Sequence, residues 1–197
     1  MNRFVFALAQ FGPQSLKRTS LAMLLDDEDL PGDGWKVLGQ GSWRTGFAAR
    51  PSDAARRARH ARTFTAIRNF HQSGASRWCW IEVIPFVSQS DAEAVLADLP
   101  SIFVRNPGIK GTITQERRVS PHDAPEAAAY PFVYEYAVIS KYGESFPRMI
   151  GGVVDRILFL VSTSEYGAGL AGWSWQEVVD VASLQSVKIE RQLRSPA

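Results

Sequence analysis

The pattern of apolar and polar positions is clearest just before the middle of the chain, where a strand pattern passes directly into a helix pattern. Apolar side chains occupy both faces of residues 78–87, as expected of a central strand that is covered by protein on both sides. Ser90 and Glu93 then form a Ser-x-x-Glu capping box, and an apolar stripe at helical spacing follows until Pro100. These residues predict a buried strand and then an amphipathic helix that ends at Pro100.

Five other segments show the alternating or continuous apolar pattern of strands. They are residues 35–46, 63–70, 109–118, 132–139 and 153–162. A turn of hairpin length at residues 71–76 precedes the strand at 78–87, so that strand should pair antiparallel with the one before it. Residues 142–152 lack the pattern, and we assign them to a loop.

A second capping box, formed by Ser174 and Glu177, opens the longest predicted helix, which extends to Leu193. The order of elements is three strands, a helix, three strands and this long helix. It predicts one α+β domain over residues 1–197, with a central, mostly antiparallel sheet of about six strands and the C-terminal helix lying across it. Apolar residues within 1–25 follow no single period, so we expect a loosely attached N-terminal segment there.

Several predicted strands are apolar on both faces, so helices on one face alone would leave apolar surface uncovered. The N-terminal segment and loops, a bound ligand or a second subunit would each cover the other face. A homodimer is therefore one of the arrangements that the pattern allows.

Composition agrees with an ordinary globular domain. Hydrophobic residues make up 45% and charged residues 21% of the 197 residues, which excludes global disorder. The net charge of +2 does not by itself indicate a polyanionic partner. Cys79, the single cysteine, lies in the apolar strand, and its being alone excludes an internal disulfide and a cysteine zinc site.

The N-terminus gives no convincing export or membrane signal. Residues 4–9 are apolar, but this run is shorter than the core of a usual signal peptide, and no stretch of the sequence reaches membrane-spanning length. We therefore expect a cytoplasmic location and no association with a membrane.

Motifs of common enzyme and metal sites are missing from the sequence. The three histidines, His60, His71 and His122, have no metal-ligand spacing, and no Gly-Lys-Ser/Thr phosphate loop or Gly-x-Ser-x-Gly elbow occurs. The acidic run from Asp26 to Asp29 does not match a calcium loop, and we interpret it as a solvated loop or helix start. The sequence predicts no metal and no cofactor.

One segment, from Arg50 to Arg62, concentrates basic residues. Arg56, Arg57 and Arg59 are the candidate anion-binding residues within it. On a helix these arginines would spread round the surface, which favours a solvated connector, and the aromatic residues that follow belong to a strand rather than to a base-stacking platform. Binding of an anion or a nucleic acid is the less favoured alternative.

Two acidic residues, Glu82 and Glu135, lie inside otherwise apolar strands. If either carboxylate faced a cavity, burial would raise its pKa and make acid–base chemistry possible. The simpler interpretation is an ion pair across the sheet with Arg68 or Arg117, or exposure beside a loop.

Six tryptophans form three close pairs in the sequence. The pairs are Trp35 and Trp43, Trp78 and Trp80, and Trp173 and Trp175. Core packing is the usual environment of large aromatic side chains and is the favoured interpretation. The alternative is the lining of a groove for an apolar ligand or a partner.

Three short segments carry a resemblance to known proteins. They are residues 29–35 (DLPGDGW), 42–46 (SWRTG) and 172–175 (GWSW). In these residues the chain resembles an uncharacterised family of actinobacterial proteins. In layout it is similar to sensor and lipoprotein domains of mycobacteria with a PsbP-like or Mog1-like sandwich, which implies a central antiparallel sheet between helices. It departs from the secreted members in lacking their lipobox cysteine, disulfides and signal, and the family provides no catalytic motif to carry over.

These observations support three hypotheses of function. The first is a non-catalytic domain that binds a partner protein or a small apolar ligand in a tryptophan-lined groove beside the C-terminal helix. The second is an enzyme that uses a strand carboxylate in a cavity, and the third is an anion or nucleic-acid binder. A deep pocket with converging polar groups would favour the enzyme. The ligand-binding candidates are Trp78, Trp80, Glu82, Glu135, Trp173 and Trp175.

Overall fold

The computed structural model describes residues 13–44, 64–74, 76–105, 112–120, 122–140, 143–165 and 172–194. Within these ranges the chain forms three α-helices and eight β-strands. The helices are α1 (Pro13–Ala22), α2 (Gln89–Arg105) and α3 (Trp175–Arg194). The strands are β1 (Trp35–Arg44), β2 (Phe64–Gln72), β3 (Arg77–Pro85), β4 (Thr112–Arg118), β5 (Phe132–Ser140), β6 (Gly143–Ser145), β7 (Arg148–Val154) and β8 (Ile157–Glu165). Short 3-10 helices at Asp27–Asp29 and Pro125–Ala127 lie in the connections.

The eight strands form one antiparallel sheet. Their order is β1-β2-β3-β8-β7-β5-β4, with β6 paired beside β5. β3 and β8 lie near the middle and pair along their whole length, which explains why both carry apolar residues on both faces. The predicted α+β class, the antiparallel sheet and the long C-terminal helix are confirmed. None of the helices in the described ranges is long and apolar enough to cross a membrane.

The sheet has more strands than expected, because β6 and β7 form where we predicted a loop. A two-residue turn, Asp155 and Arg156, joins β7 to β8, and Asp155 takes the left-handed conformation with φ 54°. The strand predicted at 153–162 therefore comprises the end of β7, this turn and most of β8.

The glycines of β7 are typical of a loop in the sequence, yet they are needed for packing in the strand. A Cβ at Gly151 would lie 2.8 Å from Leu160 and 2.9 Å from Leu96 of α2. On the opposite face, a Cβ at Gly152 would lie 2.7 Å from the ring of Phe159. The two glycines thus let side chains approach the sheet closely from both sides.

Helices cover both faces of the sheet. Helices α1 and α3 pack on one face, which we call the two-helix face, and α2 packs on β7 and β8 of the other, the one-helix face. β3 shows the alternation: Cys79, Ile81 and Val83 belong to the two-helix core, whereas Ile84 belongs to the core beneath α2. Two separate cores therefore explain the strands that are apolar on both faces.

The segment after α1 is part of the two-helix core. Met23, Leu24 and Leu25 are buried there. The buried amide side chain of Gln185, from α3, accepts a hydrogen bond from the Leu25 amide at 3.2 Å and donates one to the Met23 carbonyl at 2.7 Å. These residues end the stretch in which we expected loose attachment; residues 1–12 lie outside the described part of the chain.

The acidic run that follows does more than solvate a loop. The carboxylate of Asp26 accepts a short hydrogen bond from the guanidinium of Arg68 on β2. The ammonium of Lys188 on α3 lies 2.6 Å from the carboxylates of both Asp26 and Asp29. Burial alone would raise the pKa of Asp29, but its hydrogen bonds with the Asp26 amide and with Lys188 hold that pKa below its ordinary value. We call these four charged residues the charge cluster; it joins the N-terminal segment to β2 and α3.

The capping box of α3 occurs as predicted. The Glu177 amide donates to the Ser174 hydroxyl at 3.2 Å, and the Ser174 amide donates to the Glu177 carboxylate at 2.8 Å. Two backbone amides at the start of this helix are thereby satisfied.

The predicted start and end of α2 are wrong. The helix is capped by Ser88, whose hydroxyl accepts from the Asp91 amide at 3.1 Å, so the N-cap lies two residues before the one predicted at Ser90. The helix also passes through Pro100 and ends five residues later. Proline removes one backbone hydrogen bond from a helix and disfavours its continuation, but it does not always end the helix.

Candidate functional site

The six ligand-binding candidates do not come together in one site. Trp78, Trp80 and Glu82 alternate with the core residues of β3 and lie on the one-helix face. Glu135, Trp173 and Trp175 lie on the two-helix face. A groove beside the C-terminal helix would therefore contain none of the candidates on β3.

Trp173 is a core residue rather than a ligand contact. Its exposed fraction is 3%, and its ring centroid lies 5.5 Å from that of Trp35. Its indole N–H donates to the Ser164 carbonyl at 3.2 Å, and the guanidinium of Arg77 lies 4.1 Å from its ring centroid. The ring and its one polar group are therefore already in contact with the protein.

Glu135 forms a cross-strand ion pair, as the simpler interpretation predicted, with Arg148 among the described side chains. Its carboxylate lies 3.1 Å from Nε of Arg148 on the neighbouring strand β7. Arg148 also donates to the carbonyl of Trp173 and lies 5.0 Å from the ring centroid of Trp175, which is buried. The neighbours predicted as its partners were Arg68, which lies in the charge cluster, and Arg117, whose side chain lies outside the described part.

A small recess opens on the one-helix face between β3, β8 and β7. Its volume is about 10 Å³, close to the smallest cavity volume that holds one water molecule. The recess therefore suits a single small polar group rather than a whole ligand. Its lining residues are Trp80, Glu82, Met149, Leu160 and Ser162.

Strand register brings these side chains together. Trp80 lies opposite Ser162, and Glu82 lies opposite Leu160, in the pairing of β3 with β8. Met149 of β7 lies on the other side of Ser162. Directly opposed residues place their side chains on the same face of a sheet, so three neighbouring strands form one wall.

The indole N–H of Trp80 has no partner among the described residues. Its Nε1 atom is buried and makes no hydrogen bond with any of them. A buried donor left without an acceptor costs about 1–3 kcal/mol, and such groups are rare in folded proteins. A side chain that lines the recess thus carries a hydrogen-bond donor that the described part of the protein does not use.

Glu82 is also without an ion pair. The predicted partner Arg68 lies opposite Ile81, and Ile67 lies opposite Glu82, so Arg68 points to the two-helix face and the predicted pair is wrong. Among the described residues no cation contacts the Glu82 carboxyl. Its apolar surroundings disfavour the charged form and raise the pKa of Glu82 to about 7.

Beside the recess lies an aromatic platform, formed by Trp78 and His71. The two ring centroids are 4.6 Å apart, with planes inclined by 54°. Trp78 is 37% exposed, and the exposed side chain of Asn69 lies opposite Trp80 on β2. The platform and the recess together form one surface with aromatic, amide, hydroxyl and carboxyl groups.

The arrangement is suited to binding. The side chains that line the recess carry an indole N–H, a hydroxyl and a carboxyl whose pKa is about 7, next to the apolar side chains of Met149 and Leu160. The described residues contain no group of three or more His, Cys, Asp or Glu side chains that could hold a metal ion. Burial also raises the pKa of the Cys79 thiol far above its usual range, so this thiol behaves as a small apolar group.

A larger cavity, of about 80 Å³, lies near the second 3-10 helix. Its lining includes no charged side chain and no predicted site residue from the part of the chain that the structure describes. The lining residues are Val119, Ser120, Ala124, Ala127, Ala128, Tyr130, Pro131 and Val133.

The sequence did not identify Met149, Leu160 and Ser162 as site residues. Ser162 carried the one usable signal, a polar residue at the end of the most apolar strand pattern. The anion-binding candidates lie outside the described residues, and their role stays a prediction. These candidates are Arg56, Arg57 and Arg59.

Comparisons with known proteins bear on the fold. Neither a family model nor a curated protein matches the chain. Among solved structures, the extracellular domain of PknH from Mycobacterium tuberculosis is similar, with a TM-score of 0.57 and 11% identity, over 89% of this chain and 96% of that one. A putative uncharacterized protein from Mycobacterium smegmatis, the Rv0999 ortholog, gives a TM-score of 0.41 and 6% identity over 80% and 90%. The predicted similarity in layout to mycobacterial sensor domains is confirmed, and at these identities it concerns the fold alone.

Proposed function

We propose that this chain is a non-catalytic ligand-binding domain whose site is the recess at Trp80 and Glu82. One observation carries the proposal: the recess is lined by Trp80, whose buried indole N–H has no partner among the described residues, and by Glu82, whose carboxyl contacts no cation there. Folded proteins generally satisfy buried polar groups internally, so a group left free in a recess marks a place where a ligand supplies the partner. This site differs from the groove predicted beside the C-terminal helix, because Trp173 and Trp175 near that helix are buried.

The proposal is tested by native mass spectrometry of the protein purified from its own host, compared with its denatured mass. We expect a stoichiometric extra mass, which is lost in Trp80→Phe because this variant removes the donor and keeps most of the ring. The matched control is Leu184→Ala, at an exposed position on α3, which should keep the extra mass. A bare chain, or an extra mass retained by Trp80→Phe, would contradict a site at the recess.

A second candidate is an acid–base enzyme that uses Glu82. The observation that favours it is the pKa of about 7, since a carboxyl with this pKa both donates and accepts protons at neutral pH. The two candidates differ in the fate of the bound compound. Recovery of the compound unchanged after incubation supports a binding domain, whereas turnover that Glu82→Gln abolishes supports the enzyme.

A cytoplasmic location remains the prediction from the sequence. The similar PknH structure is that of an extracellular domain, a description that applies to that protein. Fractionation of the host, with the chain detected by antibody, would separate the two locations. Recovery with the cytoplasmic marker supports the prediction, and recovery outside the cell overturns it.

A further inference from the structure

The chemistry of the recess identifies a class of ligand, and the inference rests on the proposed site. The Trp80 N–H only donates, so the group that enters must contain an acceptor. The carboxyl of Glu82 accepts when ionised and donates when protonated. A hydroxyl group is of water size and fits both conditions, because its oxygen accepts one hydrogen bond while its proton is donated to a carboxylate.

Charged groups fit the same recess less well. An ammonium would pair with Glu82, but it has no acceptor and would leave the Trp80 donor unsatisfied. A carboxylate or phosphate would accept from Trp80, but it would bind only while Glu82 holds its proton, because no cation among the lining residues neutralises two adjacent anions. An uncharged head group is therefore favoured.

The aromatic platform indicates what carries this hydroxyl. Trp78 and Trp80 are two residues apart on one strand, so their side chains stand about 7 Å from each other. Trp78 is the more exposed of the two. An apolar ring face can lie on its indole while a substituent on the same ring reaches the recess, and the exposed Asn69 amide lies beside it.

We propose that the ligand is a neutral saccharide that stacks on Trp78 and inserts one hydroxyl between Trp80 and Glu82. A sugar ring combines an apolar C–H face with hydroxyls that donate and accept. An aliphatic chain would leave the polar groups of the recess without partners. The proposal thus accounts for the recess, its unpaired groups and the exposed platform together.

The test is a titration of the full chain, labelled with ¹⁵N, followed by NMR at the tryptophan indole resonances. The probes are glucose, mannose, N-acetylglucosamine and trehalose, with hexylamine and hexanoate as the charged comparison. We expect a saturable shift of the Trp80 indole resonance with at least one saccharide and with neither charged compound.

Variants then locate the binding. Loss of one neutral hydrogen bond should weaken saccharide binding about 3- to 10-fold in Trp80→Phe, and loss of the stacking face should weaken it about 10-fold in Trp78→Ala. Phe146→Ala removes another exposed aromatic side chain, one that does not line the recess, and should change nothing. A cooperative thermal unfolding transition like that of the wild type shows that each variant is folded.

The outcomes separate this inference from the proposed site. Binding of hexylamine or hexanoate at the Trp80 resonance, with no saccharide bound, overturns the saccharide and leaves the site intact. If no probe shifts the Trp80 resonance, the saccharide proposal is also rejected. If, in addition, the protein purified from its host carries no extra mass, the proposed ligand-binding site is rejected too. Saccharide binding that Trp80→Phe leaves unchanged overturns the insertion of a hydroxyl between Trp80 and Glu82.

Discussion

At the scale of single residues, two glutamates show how register decides chemistry. Glu82 and Glu135 occupy similar positions in apolar strands. Glu135 is paired with Arg148, whereas the Glu82 carboxyl contacts no cation among the described residues. A shift of one residue in a strand moves a side chain to the other face, and Arg68 is one residue away from the position opposite Glu82. The sequence located both carboxylates, but pairing register decided which of them is free.

We expect Glu82→Gln to change how stability depends on pH. The pKa of Glu82 rises from an ordinary value of 4.5 to about 7 on folding, so the folded state holds the proton more tightly than the unfolded chain. The wild type should therefore lose stability as pH rises from about 4.5 to about 7, by about 1–3 kcal/mol for this half-buried group. The variant should lack this loss, and urea unfolding at pH 5 and pH 8 measures it.

Glu135→Gln is the matched control for this prediction. It breaks the ion pair and leaves Arg148 without its carboxylate, so we expect a loss of about 0.5–2 kcal/mol at both pH values. Equal stability changes at pH 5 and pH 8 in Glu82→Gln would show that Glu82 titrates normally, and its role in the recess would then be abandoned.

At the scale of elements, the start of α2 provides a test of the cap. The Ser88 hydroxyl accepts from the Asp91 amide, so Ser88→Ala should destabilise the protein by about 1 kcal/mol. Ser90→Ala, two residues on, removes a hydroxyl that caps no amide and should cost far less. Urea unfolding compares the two variants, and a larger loss in Ser90→Ala would place the cap where the sequence pattern first indicated it.

The close packing of α2 against the sheet gives a second test. A Cβ at Gly151 meets three buried side chains within 3.1 Å, so Gly151→Ala should destabilise the protein by about 1–3 kcal/mol through overpacking. Gly39 on β1 has no atom within 4 Å of an added Cβ, so Gly39→Ala is the matched control and should be close to neutral. Thermal unfolding of the two variants measures the change in stability, and equal losses of stability would contradict the packing argument.

Elements were easier to predict than their limits. Periodicity identified α3 and its cap, because Ser174, Glu177 and the apolar stripe agree with each other. It missed β7, because the two glycines Gly151 and Gly152 are locally typical of a loop. Only the close approach of α2 and Phe159 to the sheet explains why glycine occupies these strand positions. The end of α2 was wrong for the same reason: a local rule for Pro100 was overridden in the folded chain.

At the scale of the whole molecule, the covered faces of the sheet explain what the sequence could foresee. Apolar residues on both faces of the strands require cover on both sides, and that conclusion needs no structure. Which helix covers which face depends on contacts between residues far apart in the chain, such as Gln185 with Leu25. The recess is of this kind too, because its wall combines β3 with the β7–β8 hairpin, which lies about 60 residues further along the chain.

The charge cluster joins the N-terminal segment to both the sheet and α3 through ion pairs. We therefore predict that removing its lysine weakens this attachment. Lys188→Met removes the cation that lies between Asp26 and Asp29, so we expect a loss of about 1–2 kcal/mol. Amide hydrogen exchange at Leu25 should accelerate, because its hydrogen-bond acceptor Gln185 lies on the same face of α3 as Lys188. The folded pKa of Asp29 is depressed, so this stabilisation is present above about pH 4 and is lost as pH falls below it.

A second ion pair on α3 distinguishes the cluster from a general loss of surface charge. Arg194 pairs with Glu190 at 3.0 Å but is 79% exposed, and exposed pairs four residues apart contribute only about 0.3–0.5 kcal/mol. Arg194→Met should therefore leave both unfolding and the exchange of Leu25 almost unchanged. If the two variants lose stability equally and neither alters exchange at Leu25, the cluster does not hold the N-terminal segment, and apolar burial of Met23, Leu24 and Leu25 alone must do so.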